Sequence, residues 1–279
     1  MSKLGIISGL GNLPVSIAEA ATQDGRNIYV VRLAGFEEKA MLGYPGETIG
    51  IGQLGRLARR LREEGCEEVV LAGIVKRPNF SDMKLDFGGA RLLPKVVSAA
   101  RKGDDALLRV ILDYFEGQGF RVIGAEEAAG DLKMGDGLFA GPQPEEAQLV
   151  DMRKAARIAS EIGRLDIGQG CVVCDGLVLA VEAQEGTDGM LRRVAELDPA
   201  IKGTPKNRKG LLVKRPKPIQ ERRIDLPTVG PDTIRAVADA GLAGIGLEQG
   251  GALLIGRDRI RELCAAHGVF VYGFPADWS

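Results

Sequence analysis

The sequence predicts an α/β protein in two halves, the first built on a parallel sheet. Three observations carry this. Short apolar strands alternate with helices through the first half, the pattern that builds a parallel sheet. The first strand runs directly into a glycine loop and then a helix. A crowding of Gly130, Gly135, Gly137, Gly141, Pro142 and Pro144 then breaks the alternation near the middle of the 279 residues. This leaves two lengths that each suit one core.

Taken in order, residues 4–8 form an apolar strand, followed by the glycine loop and a helix over 13–23. Residues 27–33 and 48–52 read as the next strands, and a basic amphipathic helix over 54–64 stops at Gly65. A buried strand over 68–73 comes next, then a helix from Asp104 to Phe115 and a strand over 120–124. The expected division is a Rossmann-like domain over 1–130, a linker over 131–145 and a second α/β domain over 146–279. The second half opens with a long helix over 145–165 and a hairpin over 169–184 that turns at Asp175-Gly176, a strong hairpin signal between apolar flanks. Strands over 210–213, 253–256 and 269–273 then mix with helices over 189–197, 231–240 and 258–267. Their sheet order is not readable from the pattern.

Composition narrows the function. Hydrophobic residues at 45% and charged residues at 27% are the proportions of a folded globular chain. With 37 Lys+Arg against 38 Asp+Glu, the net charge of −1 argues against a surface that coats nucleic acid while leaving room for a local basic patch, and 5% aromatics leave few platforms for stacking bases. No apolar run reaches the roughly 18 to 20 residues of a membrane span. Gly9, Gly11, Asn12, Pro14 and Glu19 interrupt the apolar stretch behind Lys3, which therefore reads as strand and loop rather than signal peptide. A cytoplasmic protein is expected. Four cysteines make no disulfide framework in a chain this long. Cys171 and Cys174 form a CxxC within a strand, where residues three apart face opposite ways, so core packing is the better reading than a metal or redox site. The one histidine, His267, precedes Gly268 at a helix end and is a poor catalyst candidate.

Several segments have the makings of chemistry. Gly9-Leu-Gly11-Asn12-Leu13-Pro14 joins a strand to a helix, where backbone N–H groups and the helix dipole suit a phosphate. It departs from the dinucleotide fingerprint, because Pro14 stands in place of the third glycine and Arg32-Leu33 stand where a ribose-binding acid belongs. Lys76 and Arg77, in Gly73-Ile-Val-Lys76-Arg77-Pro78-Asn79, follow a buried strand, so they lie near the glycine loop or are two solvated charges on a loop. In Glu182-Ala-Gln-Glu-Gly186-Thr187-Asp188, either Thr187 or Asp188 caps a helix, or the turn offers amides to a phosphate and a carboxylate to a hard cation. Residues 202–223 hold nine cations (Lys202, Lys206, Arg208, Lys209, Lys214, Arg215, Lys217, Arg222 and Arg223) against one acid, Glu221. That asymmetry favours a bound polyanion. Asp225 follows immediately, in Asp225-Leu-Pro-Thr228-Val-Gly230, placed to hold a metal or polarise a water, or simply to turn the chain.

At these segments the chain resembles the bacterial UDP-2,3-diacylglucosamine pyrophosphatases of lipid A biosynthesis, the type unrelated to the calcineurin-like metallophosphoesterases. The resemblance spans essentially the whole chain. It rests on Gly5-Ile-Ile-Ser-Gly-Leu-Gly-Asn-Leu-Pro14, on Glu182-Ala-Gln-Glu-Gly-Thr-Asp188 and on Asp225-Leu-Pro-Thr-Val-Gly230. It implies that water cleaves the substrate to UMP and 2,3-diacylglucosamine 1-phosphate with Mg²⁺ or Mn²⁺. It also implies a second domain of unusual fold and a ligand in the interdomain cleft. On this reading Asp225 is catalytic, and Asp188 and Asp225 hold the metal. Gly9, Gly11, Asn12, Leu13, Lys76, Asn79, Gly186, Thr187, Asp188, Lys206 and Thr228 meet the lipid-linked nucleotide sugar. A diacylated substrate implies reversible contact with the inner face of the inner membrane, through an apolar groove near the cleft and the basic run. A homodimer is the default assembly. Two alternatives stay open: a non-catalytic nucleotide-sugar binding protein, and an NAD-type Rossmann oxidoreductase.

Overall fold

The computed structural model describes residues 3–76, 83–101, 103–218 and 226–278. The chain forms two compact units, Met1–Asp131 and Leu132–Ser279.

The first unit runs β1 (Lys3–Ser8), α1 (Asn12–Gln23), β2 (Ile28–Leu33), β3 (Gly46–Ile49), α2 (Leu54–Glu63), β4 (Cys66–Ala72), α3 (Phe87–Ala100), α4 (Asp104–Gly117), β5 (Arg121–Val122) and α5 (Ala125–Ala128). All strands of its sheet are parallel, in the order β3-β2-β1-β4-β5. β1 and β2 are buried almost end to end, as continuous apolar strands covered on both faces must be. Helices α1 and α5 pack together on one side, and α2, α3 and α4 on the other. The amphipathic reading of α2 holds: Leu54, Leu57, Ala58 and Leu61 face the sheet at helical spacing, while its arginines face outward. The strand order reverses between β1 and β4, the switch point at which open sheets of this kind bind ligands.

Helix α3 is absent from the sequence pattern. Gly88 and Gly89 lower its propensity and Pro94 lies inside it, so the helix depends on its start. There the Asp86 carboxylate accepts the N–H groups of Gly89 at 2.7 Å, Arg56 at 2.6 Å and Gly55 at 3.2 Å. One carboxylate thus caps α3 and meets the first turn of α2. Burial pushes the Asp86 carboxyl up, but the backbone N–H groups of Gly89, Arg56, Gly55 and Gly88 prevail and hold it below the usual carboxylate value.

The second unit runs β6 (Gly137–Ala140), α6 (Glu146–Arg164), β7 (Gly170–Cys174), β8 (Leu177–Val181), α7 (Gly186–Ala195), α8 (Pro199–Lys202), β9 (Gly203–Thr204), β10 (Asn207–Arg208), β11 (Leu211–Lys214), β12 (Thr228–Val229), α9 (Pro231–Asp239), β13 (Gly244–Glu248), β14 (Leu253–Leu254), α10 (Arg257–His267) and β15 (Phe270–Phe274). Its main sheet has the order β6-β15-β13-β11-β7-β8. Strands β11, β13 and β15 are parallel, and β6, β7 and β8 run against their neighbours. Side chains alternate between two cores. Cys171, Val173, Leu211 and Val213 pack with α6, whereas Val172, Leu212, Ile245 and Val271 pack with residues of α7, α9 and α10.

The hairpin turns where expected, with Asp175 at φ 48° and Gly176 at φ 76°, the paired positive values of a type I′ turn. Two expectations change. Residues 131–145, read as a linker, carry β6, which pairs with β15. Helix α7 begins at Gly186, so Thr187 and Asp188 lie within its first turn and Glu185 takes the N-cap position. The cysteines are free and buried, and desolvation pushes Cys171 up to about 12 and Cys66, Cys174 and Cys264 to about 11, which leaves unreactive thiols.

Candidate functional site

In the first unit, the glycine loop lies at the carboxyl end of β1. Leu10 and Ile74 exchange backbone hydrogen bonds at 3.0 and 2.8 Å, tying this loop to the one that follows β4. A Cβ on Gly9 would stand 2.7 Å from the Ile74 carbonyl oxygen, so this glycine answers to the close approach of two loops. Gly11, at φ 98°, has open space where a Cβ would be. Asn12 and Leu13 open α1 behind it. The Gly11 N–H donates to Glu38 Oε2 at 3.1 Å, so a carboxylate holds the position expected for a phosphate. Lys76 is exposed two residues beyond Ile74, at the same end of the sheet. Arg32 is buried and donates to the carbonyls of Met41 at 3.1 Å and Tyr44 at 3.3 Å, which makes it a brace for the chain after β2. Arg77 and Asn79 lie outside the described residues.

In the second unit, the pairing register brings charged residues to one sheet end. Lys214 pairs with Gly170 of β7 and Leu247 of β13, and Glu182 donates its N–H to the Gly170 carbonyl at 2.9 Å. Glu182, Lys214, Arg215 and Glu248 therefore collect at the carboxyl end of the parallel strands. Alternation then sends the two cations to opposite faces. On the α7 side, the Thr187 hydroxyl donates to Glu182 Oε1 at 2.7 Å and accepts from Lys214 Nζ at 2.8 Å. Glu182 Oε2 also accepts the Gln169 N–H at 3.3 Å. Both charges are only 6% exposed, so the hydroxyl joins a buried ion pair. On the α6 side, Arg215 pairs with Glu248 at 2.8 Å and donates to the carbonyls of Trp278 at 2.7 Å and Ala276 at 3.0 Å.

Gly186 and Asp188 stand beside Thr187 in the first turn of α7, Asp188 exposed. Thr228, in β12 just before α9, donates its hydroxyl to the Leu226 carbonyl at 3.2 Å. Asp225 lies outside the described residues, next to buried Leu226. Among the described residues no group of three or more His, Cys, Asp or Glu comes together to hold a metal. The arrangement offers a buried ammonium beside first-turn amides and an exposed carboxylate, a setting for an anion and a hard cation.

Lys206 is not part of this end. It sits in the exposed turn between β9 and β10, whose Arg208 donates to the carbonyls of Ala238 at 2.6 Å and His267 at 2.7 Å, the far ends of α9 and α10. Among the described residues the basic run is therefore two groups and not one patch. Lys202, Lys206, Arg208 and Lys209 precede β11 at the amino end of the strand, and Lys214, Arg215 and Lys217 end or follow it. Its four residues separate the groups by about 13 Å. Lys202 caps the Ala240 carbonyl, and Lys209 and Lys217 pair with Asp175 and Asp166. Arg222 and Arg223 lie outside the described residues. Glu182 and Lys214 are the residues sequence reasoning missed as a pair. Their signal is a charge closing an apolar strand, Leu211-Leu-Val-Lys214 and Leu177-Val-Leu-Ala-Val-Glu182, since a strand-end charge marks a sheet end.

Residues 3–132 match the LpxI N-terminal domain and residues 135–272 the LpxI C-terminal domain. The chain belongs to the LpxI family. A relative from Caulobacter vibrioides, UDP-2,3-diacylglucosamine pyrophosphatase LpxI, is 50% identical over 273 residues, which is 98% of either chain. Solved structures are far more distant. A CobK precorrin-6A reductase is 10% identical over 99% of this chain and 88% of its own, at a TM-score of 0.31. A UDP-glucose 4-epimerase from Thermus thermophilus is 15% identical over 98% and 86%, also at 0.31. Neither likeness bears on what this chain does. No helix among the described residues is long and apolar enough to cross a membrane.

Proposed function

We propose that this chain hydrolyses the pyrophosphate bond of UDP-2,3-diacylglucosamine to UMP and 2,3-diacylglucosamine 1-phosphate, in lipid A biosynthesis. The observation that carries the reading is the 50% identity to the Caulobacter vibrioides pyrophosphatase over 98% of both chains. In this reaction a water oxygen bonds to one phosphorus, the bridging P–O bond breaks, and each product leaves as a phosphomonoester. Lys214, held by Thr187, supplies fixed positive charge beside the first turn of α7, where a reacting anion is best stabilised. Asp225 fixes the cation or orients the water.

The proposed cation is Mg²⁺ or Mn²⁺, held by Asp188 and Asp225 and by phosphate oxygens. Asp188 fits as an exposed oxygen donor, and such ions need only one or two carboxylates. When bound, the ion neutralises charge on the pyrophosphate. Peripheral contact with the inner face of the inner membrane is also proposed, through a surface other than the basic run. Arg56, Arg59 and Arg62 of α2 and Arg91 and Lys95 of α3 line one open cleft of about 980 Å³, with Phe87 exposed beside them. Cations with an exposed aromatic suit an anionic bilayer.

The test is UMP release from UDP-2,3-diacylglucosamine by the purified chain with Mg²⁺. Release no faster than a protein-free blank overturns the reading. Excess EDTA should abolish release and Mg²⁺ or Mn²⁺ restore it, while full activity in EDTA overturns the metal assignment.

A further inference from the structure

Glu182 follows β8 and is only 6% exposed, a place where a carboxylate is costly unless both of its oxygens are bonded. The hairpin folds its side chain back beside the start of β7. There the Gln169 N–H reaches Oε2 at 3.3 Å, and a Cβ on Gly170 would stand 2.8 Å from the same oxygen. Position 170 takes glycine because the carboxylate lies against it. From the α7 side, the Thr187 hydroxyl reaches Oε1 at 2.7 Å. Each oxygen accepts from a different element.

The direction of these bonds is set by the groups themselves. An ammonium only donates and a carboxylate only accepts, whereas a hydroxyl has a single hydrogen to give. Thr187 therefore accepts from Lys214 Nζ, at 2.8 Å, and gives its hydrogen to Glu182. The three groups form one chain polarised from Lys214 to Glu182, in which each bond strengthens the next. Glutamine has the same outline and breaks the chain, because its amide must turn an NH2 one way or the other. Turned toward Gln169, it sets two donors against each other. Turned toward Thr187, it takes away the acceptor of the hydroxyl hydrogen. Only a carboxylate satisfies both neighbours.

We infer that Glu182 is a positioning residue for the hydrolysis: through the Thr187 hydroxyl it aims the Lys214 ammonium at the anion beside the first turn of α7. Glu182 itself touches neither substrate nor water in this assignment, which rests on the pyrophosphatase reading of the preceding section. It gives a reason for a buried carboxylate next to a site for an anion, where a charge of the same sign otherwise weakens binding.

Lys214 can be followed without any hydrolysis, because lysine ammonium protons give a resolved proton–nitrogen NMR signal only when hydrogen bonds hold them against exchange. In the full chain, wild type should show an Nζ resonance that Lys214→Met lacks, and Glu182→Gln should lose it. In UMP release, Glu182→Gln should lower kcat about ten-fold or more per folded molecule and leave KM no higher than in wild type. A carboxylate that serves the fold alone would lower the folded fraction and move neither constant. In a Lys214→Met background the glutamine substitution should change kcat by less than about two-fold, as for two residues acting as one unit. Should the glutamine variant fail to fold, Glu182→Asp keeps the charge but falls one methylene short of Thr187, and the same two losses are expected. An Nζ resonance retained in the variant, a wild-type kcat, or equal kcat losses with and without Lys214 overturns the inference. If wild type releases no UMP while Glu182→Gln loses the resonance, the aiming of Lys214 by Glu182 stands and the pyrophosphatase reading fails alone.

Discussion

Replacing Thr187 with valine keeps the side chain's outline and deletes one hydroxyl, the one that links Lys214 to Glu182. Two hydrogen bonds to charged partners disappear, at 2.7 and 2.8 Å, and such bonds contribute about 1.5–3 kcal/mol each. The charges themselves stay in place, because those distances bound Nζ and Oε1 at about 5.5 Å. Their direct attraction there is about 3 kcal/mol at an effective dielectric near 20 and does not depend on the hydroxyl. The pair should therefore survive while its tether is lost, at a cost of about 3–6 kcal/mol to the second unit. At roughly 2–4 °C per kcal/mol for a unit of this size, melting should fall by about 6–24 °C. Thr187→Ser keeps the hydroxyl, loses only a methyl and should stay within about 1 kcal/mol of wild type. Denaturant unfolding of the three proteins, run beside UMP release, decides the matter. Valine should also lower kcat by about ten-fold, since Lys214 loses the contact that aims it, and serine should restore it. Wild-type stability and turnover in the valine variant, or a serine variant that behaves like valine, would refute the reasoning.

Three further outcomes are expected. Asp225→Ala should lower kcat by roughly 10²-fold or more with little rise in KM, and a near-normal kcat would move the role to Asp188. Because Asp86 titrates below its usual value of 3.8 when folded, it contributes stability that is complete above that value and is lost as pH falls through the folded pKa. Acid melting curves should show this extra loss in wild type and not in Asp86→Asn, and parallel curves would contradict it. Glu38→Ala frees the Gly11 N–H, so it should cost about 0.5–1 kcal/mol of stability while lowering KM, as a competing anion is removed. A higher KM would instead make Glu38 a substrate contact.

What the sequence shows of this fold depends on where local pattern and tertiary packing agree. The 175–176 turn is legible because Asp-Gly is the pair that tolerates two positive φ angles. β13 is not. A Cβ on Gly244 would collide with the Phe270 ring, and one on Gly246 would stand 2.7 Å from Met152 Cγ, so packing demands glycine and glycine erases the strand signal. α3 is hidden in the same way by Gly88, Gly89 and Pro94, and exists through Asp86, an anchor visible only in three dimensions. At the candidate site, the Gly186-Thr187-Asp188 segment stands out as a motif, and the structure adds what Thr187 holds. The basic run misleads because sequence proximity is not spatial proximity across a strand: β11 carries its cations to both ends of the sheet.

The hydrogen bonds that join Leu10 to Ile74 also bear on redesign. In sheets of this strand order, a dinucleotide lies in the crevice where the order reverses, and its pyrophosphate approaches the glycine turn. Here the backbones on either side of that crevice are stitched to each other, Gly9 is pressed against the Ile74 carbonyl, and Arg32 is occupied bracing Met41 and Tyr44. Writing a glycine at position 14 and an acid at position 32 would complete the nicotinamide fingerprint on paper and yield no nicotinamide site. The acid would remove the brace after β2, and the stitched loops would still bar the door.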